Sequence, residues 1–531
     1  MNPYELTRAP EPQKRMYGAA GFSRLTADWL PSSSSADAEI VTSLRTLRNR
    51  SRQLVRDNEY ATNGVRLVQN NVIGTGIGLQ SLIKNKRGTL QERLNEQIEE
   101  CWLEWWQERA SVHTAGILSG PDMERFLMRN VVESGEAFVR IVPRKFGESQ
   151  IPLALEMIES DRVMDQWTQQ VAPNGNIIRM GIEMDRWHRP VAYWLWPVHP
   201  GDWQFATFSP SNFIRVPAEE IIHLHIVDRW PQSRGVPWFH AAMKRMNNMG
   251  GYEESEIVAA RGSAAIMGFI TSPETPSPDD VEDGKRLDDM EPGQIRHLTP
   301  GETFQGFNPS RPNAAMEPFM RFMLRGVAAA IGMSYESLSR DYSNTNYSSA
   351  RQAVLEDRDL WRVLQQWFIG AFRRRLHREF LEAAVISGGV AIDDYFSNRQ
   401  KYQRAHFKPR GWTWIDPSKE VNAYQTAVRS GFMTLSDVIA TTNNGRDAQD
   451  VFKTRRAELD QMAELDLVFD TDSAQVTKLG LAQKNTAPEE EEDKPAAPGI
   501  VDEGAAPPKE ESTPVSVPPP ANAPAAGKKA A

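Results

Sequence analysis

The stretch Ile331-Gly332-Met333-Ser334-Tyr335-Glu336-Ser337-Leu338-Ser339-Arg340-Asp341-Tyr342 runs on to Asn346-Tyr347-Ser348-Ser349-Ala350-Arg351 and divides a loop from a helix. Residues 334–349 are rich in Ser, Asn and Tyr, and Ser and Asn hydrogen-bond their own backbone in turns, so this part reads as a loop. The longest helical pattern of the chain follows, from 349 to 386. Val354, Trp361, Leu364, Phe368, Phe372, Leu376 and Phe380 recur along it at helical spacing. At 1.5 Å per residue it is roughly 55 Å long, enough to form the spine of a large domain or to cross an interface. Arg373, Arg374, Arg375 and Arg378 crowd near its end. A helix C-terminus favours cations in any protein. Contact with phosphate or with a neighbouring subunit is the other reading.

Working outward, residues 237–265 and 314–331 carry helical patterns on either side of an acidic, Pro-punctuated insert. Between Glu274 and Glu291 that insert holds eight acids, among them Asp279, Asp280, Glu282, Asp283, Asp288 and Asp289, against Lys285 and Arg286. Helix, insert, helix is expected to form a hairpin-like projection. The insert is either a docking surface for a basic partner or a solvated loop. Further upstream, residues 38–72, 90–109 and 121–134 read as helices, with an apolar stripe of Leu94, Ile98, Trp102, Trp105 and Trp106 in the second. The period then falls to two over 137–142, 153–158, 177–184, 192–196 and 221–226, which predicts a mostly antiparallel β unit. Downstream, 419–429, 435–440 and 448–465 are helical. From 486 on, Pro, Ala and Glu dominate, and such a segment is expected to be disordered.

A chain of 531 residues is more than one core usually holds. Net charge is −9, whereas a protein that grips DNA by neutralising phosphates carries a basic excess, so any DNA contact should be loose or local. One cysteine, Cys101, excludes an intrachain disulfide framework and reads as a small buried hydrophobe. Residues 1–15 lack an apolar signal core and no stretch reaches membrane-span length, so a soluble, non-exported protein without membrane contact is expected.

Motifs for chemistry are missing. There is no Gly-x-x-x-x-Gly-Lys-Ser/Thr, no His-Glu-x-x-His and no Gly-x-Ser-x-Gly. Gly74, Gly76 and Gly78 lack the strand and helix of a phosphate loop and read as a strand entry. His223 and His225 share one face of a strand, as metal ligands or as ordinary sheet histidines. Asp161, Asp165, Glu183 and Asp185 near strand ends are magnesium ligands of a nuclease or turn and surface residues. The residues alone describe an α+β protein of several units with no recognisable catalytic site, metal or cofactor, in a structural or interaction role.

The quoted stretch closely resembles the lambda-type portal family of tailed bacteriophages. So do Asp57-Asn58-Glu59-Tyr60-Ala61-Thr62-Asn63, Glu159-Ser160-Asp161-Arg162-Val163, residues 181–183 through 190–194, Gln232-Ser233-Arg234-Gly235-Val236-Pro237-Trp238 and residues 412–417, all in family order from about 40 to 465. The resemblance implies a portal fold: wing, two-helix stem, clip, tunnel loop with a long spine helix, and crown. Carried over, it divides the chain into an N-terminal arm (1–37), wing with β unit (38–236), stem helix 1 (237–265), clip (266–313), stem helix 2 (314–333), tunnel loop (334–348), wing helix and return (349–411), crown (412–485) and tail (486–531). It implies a homo-oligomeric ring, usually of twelve copies, at one capsid vertex of the virion, made in the host bacterial cytoplasm. Such a ring conducts double-stranded DNA without sequence specificity. Terminase large subunit and then a head–tail adaptor would dock on the clip, with major capsid and scaffold proteins as further partners. Ser339, Arg340, Tyr342, Asn344, Asn346 and Tyr347 would face DNA. A net-acidic chain with Arg340 as the lone cation of that loop suits sliding rather than gripping. Two other classes stay open here: a metal-dependent nuclease or packaging hydrolase, and a ring-shaped adaptor or scaffold that encloses no DNA.

Overall fold

Capping residues set the first elements. In a computed structural model of the chain, which describes residues 24, 28, 33–169, 174–202, 213–265, 268–271, 303–306, 314–412, 417–442 and 448–467, Ser35 caps α1 (Ala36–Asp57). Asn58 ends that helix and caps α2 (Glu59–Val68), its Oδ1 accepting from Ala61 N at 3.0 Å. A π turn, Gln69–Ile73, follows. β1 (Gly78–Ser81) begins at the third of the spaced glycines, a strand entry. α3 (Glu92–Gln107) and the short α4 (Arg109–Val112) lead to α5 (Gly120–Ser134). A reciprocal Ser119–Asp122 capping box starts α5, and left-handed Gly135 stops it. Gly135 has no alternative, because a Cβ there would lie 2.4 Å from the Val236 carbonyl carbon.

Two antiparallel sheets follow. β2 (Glu136–Val142) is central to the first, between β3 (Ala154–Ile158) and β8 (Ile221–His225). The second runs β4 (Ile177–Arg179), β5 (Ile182–Met184), β6 (Pro190–Leu195), β7 (Ile214–Pro217). The single strand expected over 177–184 is a hairpin instead. Met180 and Gly181 take φ of 48° and 81°, which reverses the chain. Phe138, Ile158, Tyr193 and Val216 form a small core between the sheets.

The main core is helical. Trp102, Trp105 and Trp106 of α3 share one core with Phe368, Phe372 and Phe380 of the long helical path, which comprises α9 (Tyr347–Phe368), a π turn (Ile369–Arg373) and α10 (Arg374–Ile386). Before it lie α6 (Met243–Ala265), an antiparallel pair of β9 (Gly268–Thr271) with β10 (Thr303–Gly306), α7 (Met316–Ile331) and α8 (Tyr335–Ser339). α8 corrects the expected uniform loop: Ser334 caps a helical turn that closes at left-handed Arg340. After the spine come α11 (Arg399–Tyr402) and β11 (Ala405–Lys408), which pairs with β1 across more than three hundred residues. α12 (Pro417–Arg429), α13 (Leu435–Thr442) and α14 (Ala448–Glu464) complete the described elements. The chain divides into Met1–Thr454 and Arg455–Ala531. In the second, Arg455–Glu458 and Arg456–Asp460 pair along α14. No helix among the described residues is long and apolar enough to cross a membrane.

Candidate functional site

The loop before the spine helix is tied down at both ends. Ser334 N and Oγ donate to Asp357 at 2.8 and 2.7 Å, and Ser337 Oγ donates to the same carboxylate at 2.7 Å. Asn63 of α2 donates its amide to the carbonyls of Ser337 (3.1 Å) and Leu338 (2.8 Å). Arg340, at φ 60°, in turn donates to Asn63 Oδ1 at 3.3 Å. A non-glycine residue in the left-handed region costs on the order of 1 kcal/mol, which the α8 C-cap bond Arg340 N to Glu336 O helps to offset. At the far end Asn346 caps α9, accepting from Ser349 N at 2.8 Å.

Between these anchors Asp341 organises the turn. It accepts from Ser343 N at 3.0 Å and from the Tyr335 hydroxyl at 2.7 Å, and lies 3.5 Å from Arg321 of α7. Bonds from Ser343, then from Tyr335, hold its carboxyl down at about 2. With its amide oxygen turned inward, Asn344 accepts from Arg321 at 3.0 Å. Ser339 Oγ donates back to the Tyr335 carbonyl at 2.7 Å. Of the six residues expected to face DNA, Ser339, Arg340, Asn344 and Asn346 therefore have partners, while Tyr342 and Tyr347 stand half exposed at 50% and 59%. Arg321, Asn63 and Asp357 were missed by the sequence reading. They join the loop only through tertiary contact.

The arginine cluster at the spine's end splits. Arg373 is fully buried, its guanidinium 4.6 Å from the Trp102 ring and 4.9 Å from Trp106, with Glu124 at 3.3 Å. Arg375 donates to the carbonyls of Ile221 (2.7 Å) and Ala218 (3.2 Å). Neither is free for the phosphate or subunit contact weighed for it, because Arg373 lies in the core at the π turn and the β8 entry takes Arg375. Arg374 and Arg378 remain exposed. The acidic residues Asp279, Asp280, Glu282, Asp283, Asp288 and Asp289 lie outside the described residues.

The carboxylates weighed as nuclease ligands are occupied. Asp161 meets Arg48 at 3.1 Å and Arg52 at 2.6 Å, and Asp165 meets Arg45 at 3.0 Å. Glu183 takes both forks of Arg215 at 2.9 and 3.1 Å, and Asp185 accepts from the amides of Trp187 and Arg189 in a turn. Among the described residues, Glu159, Asp161 and His199 come close enough to suggest a metal. Arg52 already pairs with both acids, at 3.3 and 2.6 Å, and fills the cation's place. His223 stacks on Phe138 at 4.2 Å and on His225 at 4.1 Å, and reaches buried Glu136 at 3.1 Å. Burial pushes the Glu136 carboxyl up, but the Arg234 charge and the bonds from His223 and Arg234 more than reverse this and hold it well below the usual range. Burial first, then His223, brings His225 down to about 3. This is a packed ion network, with Arg48 also on Glu136 at 3.1 Å. It holds α1, β2 and the 232–235 turn together.

Comparison with known proteins places the chain in a family. Residues 22–365 match the model of the phage portal protein, lambda family. A probable portal protein of Halomonas phage phiHAP-1 is 30% identical over 463 residues, 85% of this chain and 87% of the relative. The chain belongs to the lambda family of phage portal proteins. Portal protein B of Escherichia phage lambda is 22% identical over 483 residues, 82% of this chain and 87% of its own length. Among solved structures, the neck of a native gene transfer agent particle aligns at TM-score 0.41 and 14% identity, over 73% of this chain and 92% of that one. A portal protein of the HK97 family from Corynebacterium diphtheriae aligns at 0.29 and 12%, over 69% and 98%. The portal family is structural rather than enzymatic, a component of the head-to-tail connector of the phage virion. Portal proteins form oligomeric rings.

Proposed function

We propose that this portal chain assembles as a ring, of twelve copies, at one capsid vertex and conducts double-stranded DNA inward during packaging and outward at ejection. In this reading the loop 339–348 faces the passing duplex. Residues 266–313 dock terminase large subunit and then the head–tail adaptor, and outer surfaces meet major capsid and scaffold proteins. Synthesis takes place in the host bacterial cytoplasm.

The observation that carries the DNA-facing part is the loop's exposed chemistry. Asp341 is tied up within the loop, Arg340 is its only cation, and Tyr342 and Tyr347 stand out half exposed. A polar, nearly neutral surface makes transient contacts with phosphates and releases them. Arg340→Glu, which keeps the α8 cap, is expected to lower packaged-genome yield while rings with an axial hole still form by negative-stain imaging. Normal packaging by this variant would remove the loop from the DNA path; a purified protein that forms no rings would remove the channel itself.

A further inference from the structure

A cavity of about 670 Å³ opens between the start of α10 and the β1–β11 ribbon. Four cations reach it from three separate segments. Lys84 comes from the chain after β1, Arg374 and Arg378 from successive turns of α10, and Arg404 from the residue before β11. All four are exposed, and no carboxylate lines the cavity among the described residues. Among the described residues none of them makes an ion pair, in a chain whose net charge is −9. Phe407, Gln400, Gln403 and the buried ring of His377 also line it, and burial brings the His377 pKa down to about 3, so that it adds no charge.

We infer that this cavity binds phosphate. Four cations without ion pairs line one concavity, and an anion is the ligand whose charge complements them. Their placement on three segments narrows the anion. A carboxylate is planar, singly charged and suited to one arginine fork, whereas the walls here converge from three segments. That convergence suits a tetrahedral group with several oxygens and more than one charge. A cavity of this size admits a compact phosphate compound whole. A duplex is too wide to enter and would present backbone phosphates at the mouth. The site does not depend on the channel reading, and it explains why Arg374 and Arg378 stay exposed while Arg373 and Arg375 are consumed inside the protein.

The test is calorimetric titration of the full-length protein with tripolyphosphate and, separately, with a 20-base-pair duplex at several salt concentrations. The comparison variant is Arg374→Ala/Arg378→Ala/Arg404→Ala, whose three positions are exposed and whose unchanged melting curve would show that it folds. Tripolyphosphate affinity should fall at least about tenfold in the variant. If the phosphates come from DNA, the slope of log affinity against log salt should also become shallower by about three for the duplex. A fall for tripolyphosphate with no change for the duplex assigns the site to a free phosphate compound. Equal tripolyphosphate binding by both proteins, or by neither, overturns the proposal. So does stronger competition from a peptide of residues 487–496, with its five consecutive acids, than from tripolyphosphate.

Discussion

Replacing Arg373 with Met should be among the most damaging single changes in the chain, although nothing in the sequence marks it out from its three neighbours. Arg373 and Glu124 are both fully buried, 3.3 Å apart, and both hold the backbone of Ile77. Arg373 donates to the Ile77 carbonyl at 2.8 Å and Glu124 accepts from the Ile77 amide at 2.9 Å. At that separation an effective dielectric of about 20 gives an attraction of ~5 kcal/mol. Contacts with the Trp102 and Trp106 faces add about 1 kcal/mol each. Burial nevertheless dominates: it raises the Glu124 pKa and lowers that of Arg373, so each is pushed toward its neutral form. The pair is therefore worth little net against an apolar replacement, while breaking it strands one charge. Arg373→Met should cost ~3–5 kcal/mol, and adding Glu124→Gln, which keeps an acceptor for Ile77, should recover more than half of that. Urea unfolding followed by tryptophan fluorescence reads both, since Trp102 and Trp106 report on the guanidinium directly. A single variant within about 1 kcal/mol of the parent, or a double variant as weak as the sum of the singles, would refute the reasoning.

Two further outcomes follow from the same structure. Asn346→Ala removes the α9 cap and should cost about 1 kcal/mol of stability, read as a lower urea midpoint; Asn346→Asp, which keeps the acceptor, should restore it. The Glu183 carboxyl is held at about 2, below its ordinary 4.5, chiefly by Arg215, with Asn176 and Asn174 assisting. Its contribution is thus present above pH 4.5 and lost as pH falls through about 2. Glu183→Gln should flatten the pH dependence of unfolding across that window, and an unchanged profile would count against the assigned bonds.

Reading period and punctuation recovered the helices expected over 38–72, 90–109 and 121–134, the two flanking the acidic insert, the spine, and the strands at 137–142, 153–158, 192–196 and 221–226, but not β7, β9, β10 or β11. These depend on groups within a few residues of one another. Errors arose where one local signal was ambiguous. The alternation across 177–184 does not reveal that Met180 and Gly181 turn the chain, and the polar composition of 334–349 hides the helical turn of α8. The π turn in the spine was invisible for the same reason. A uniform 3.6-residue period places Arg373 beside Arg374, whereas one extra residue in the turn sends it into the tryptophan layer.

The chain's own chemistry thus determined its α+β class, its family resemblance, its acidic balance and the lack of any motif for catalysis. Those properties reside in residue type and short-range order. Partners were settled only by folding. Asn63 meets the 334–348 loop from 274 residues away, β11 closes on β1, Arg215 neutralises Glu183, and Lys84 and Arg404 join Arg374 and Arg378 around one cavity. Such contacts carry no local period, because what selects them is the burial of apolar faces and the pairing of charges brought together afterward.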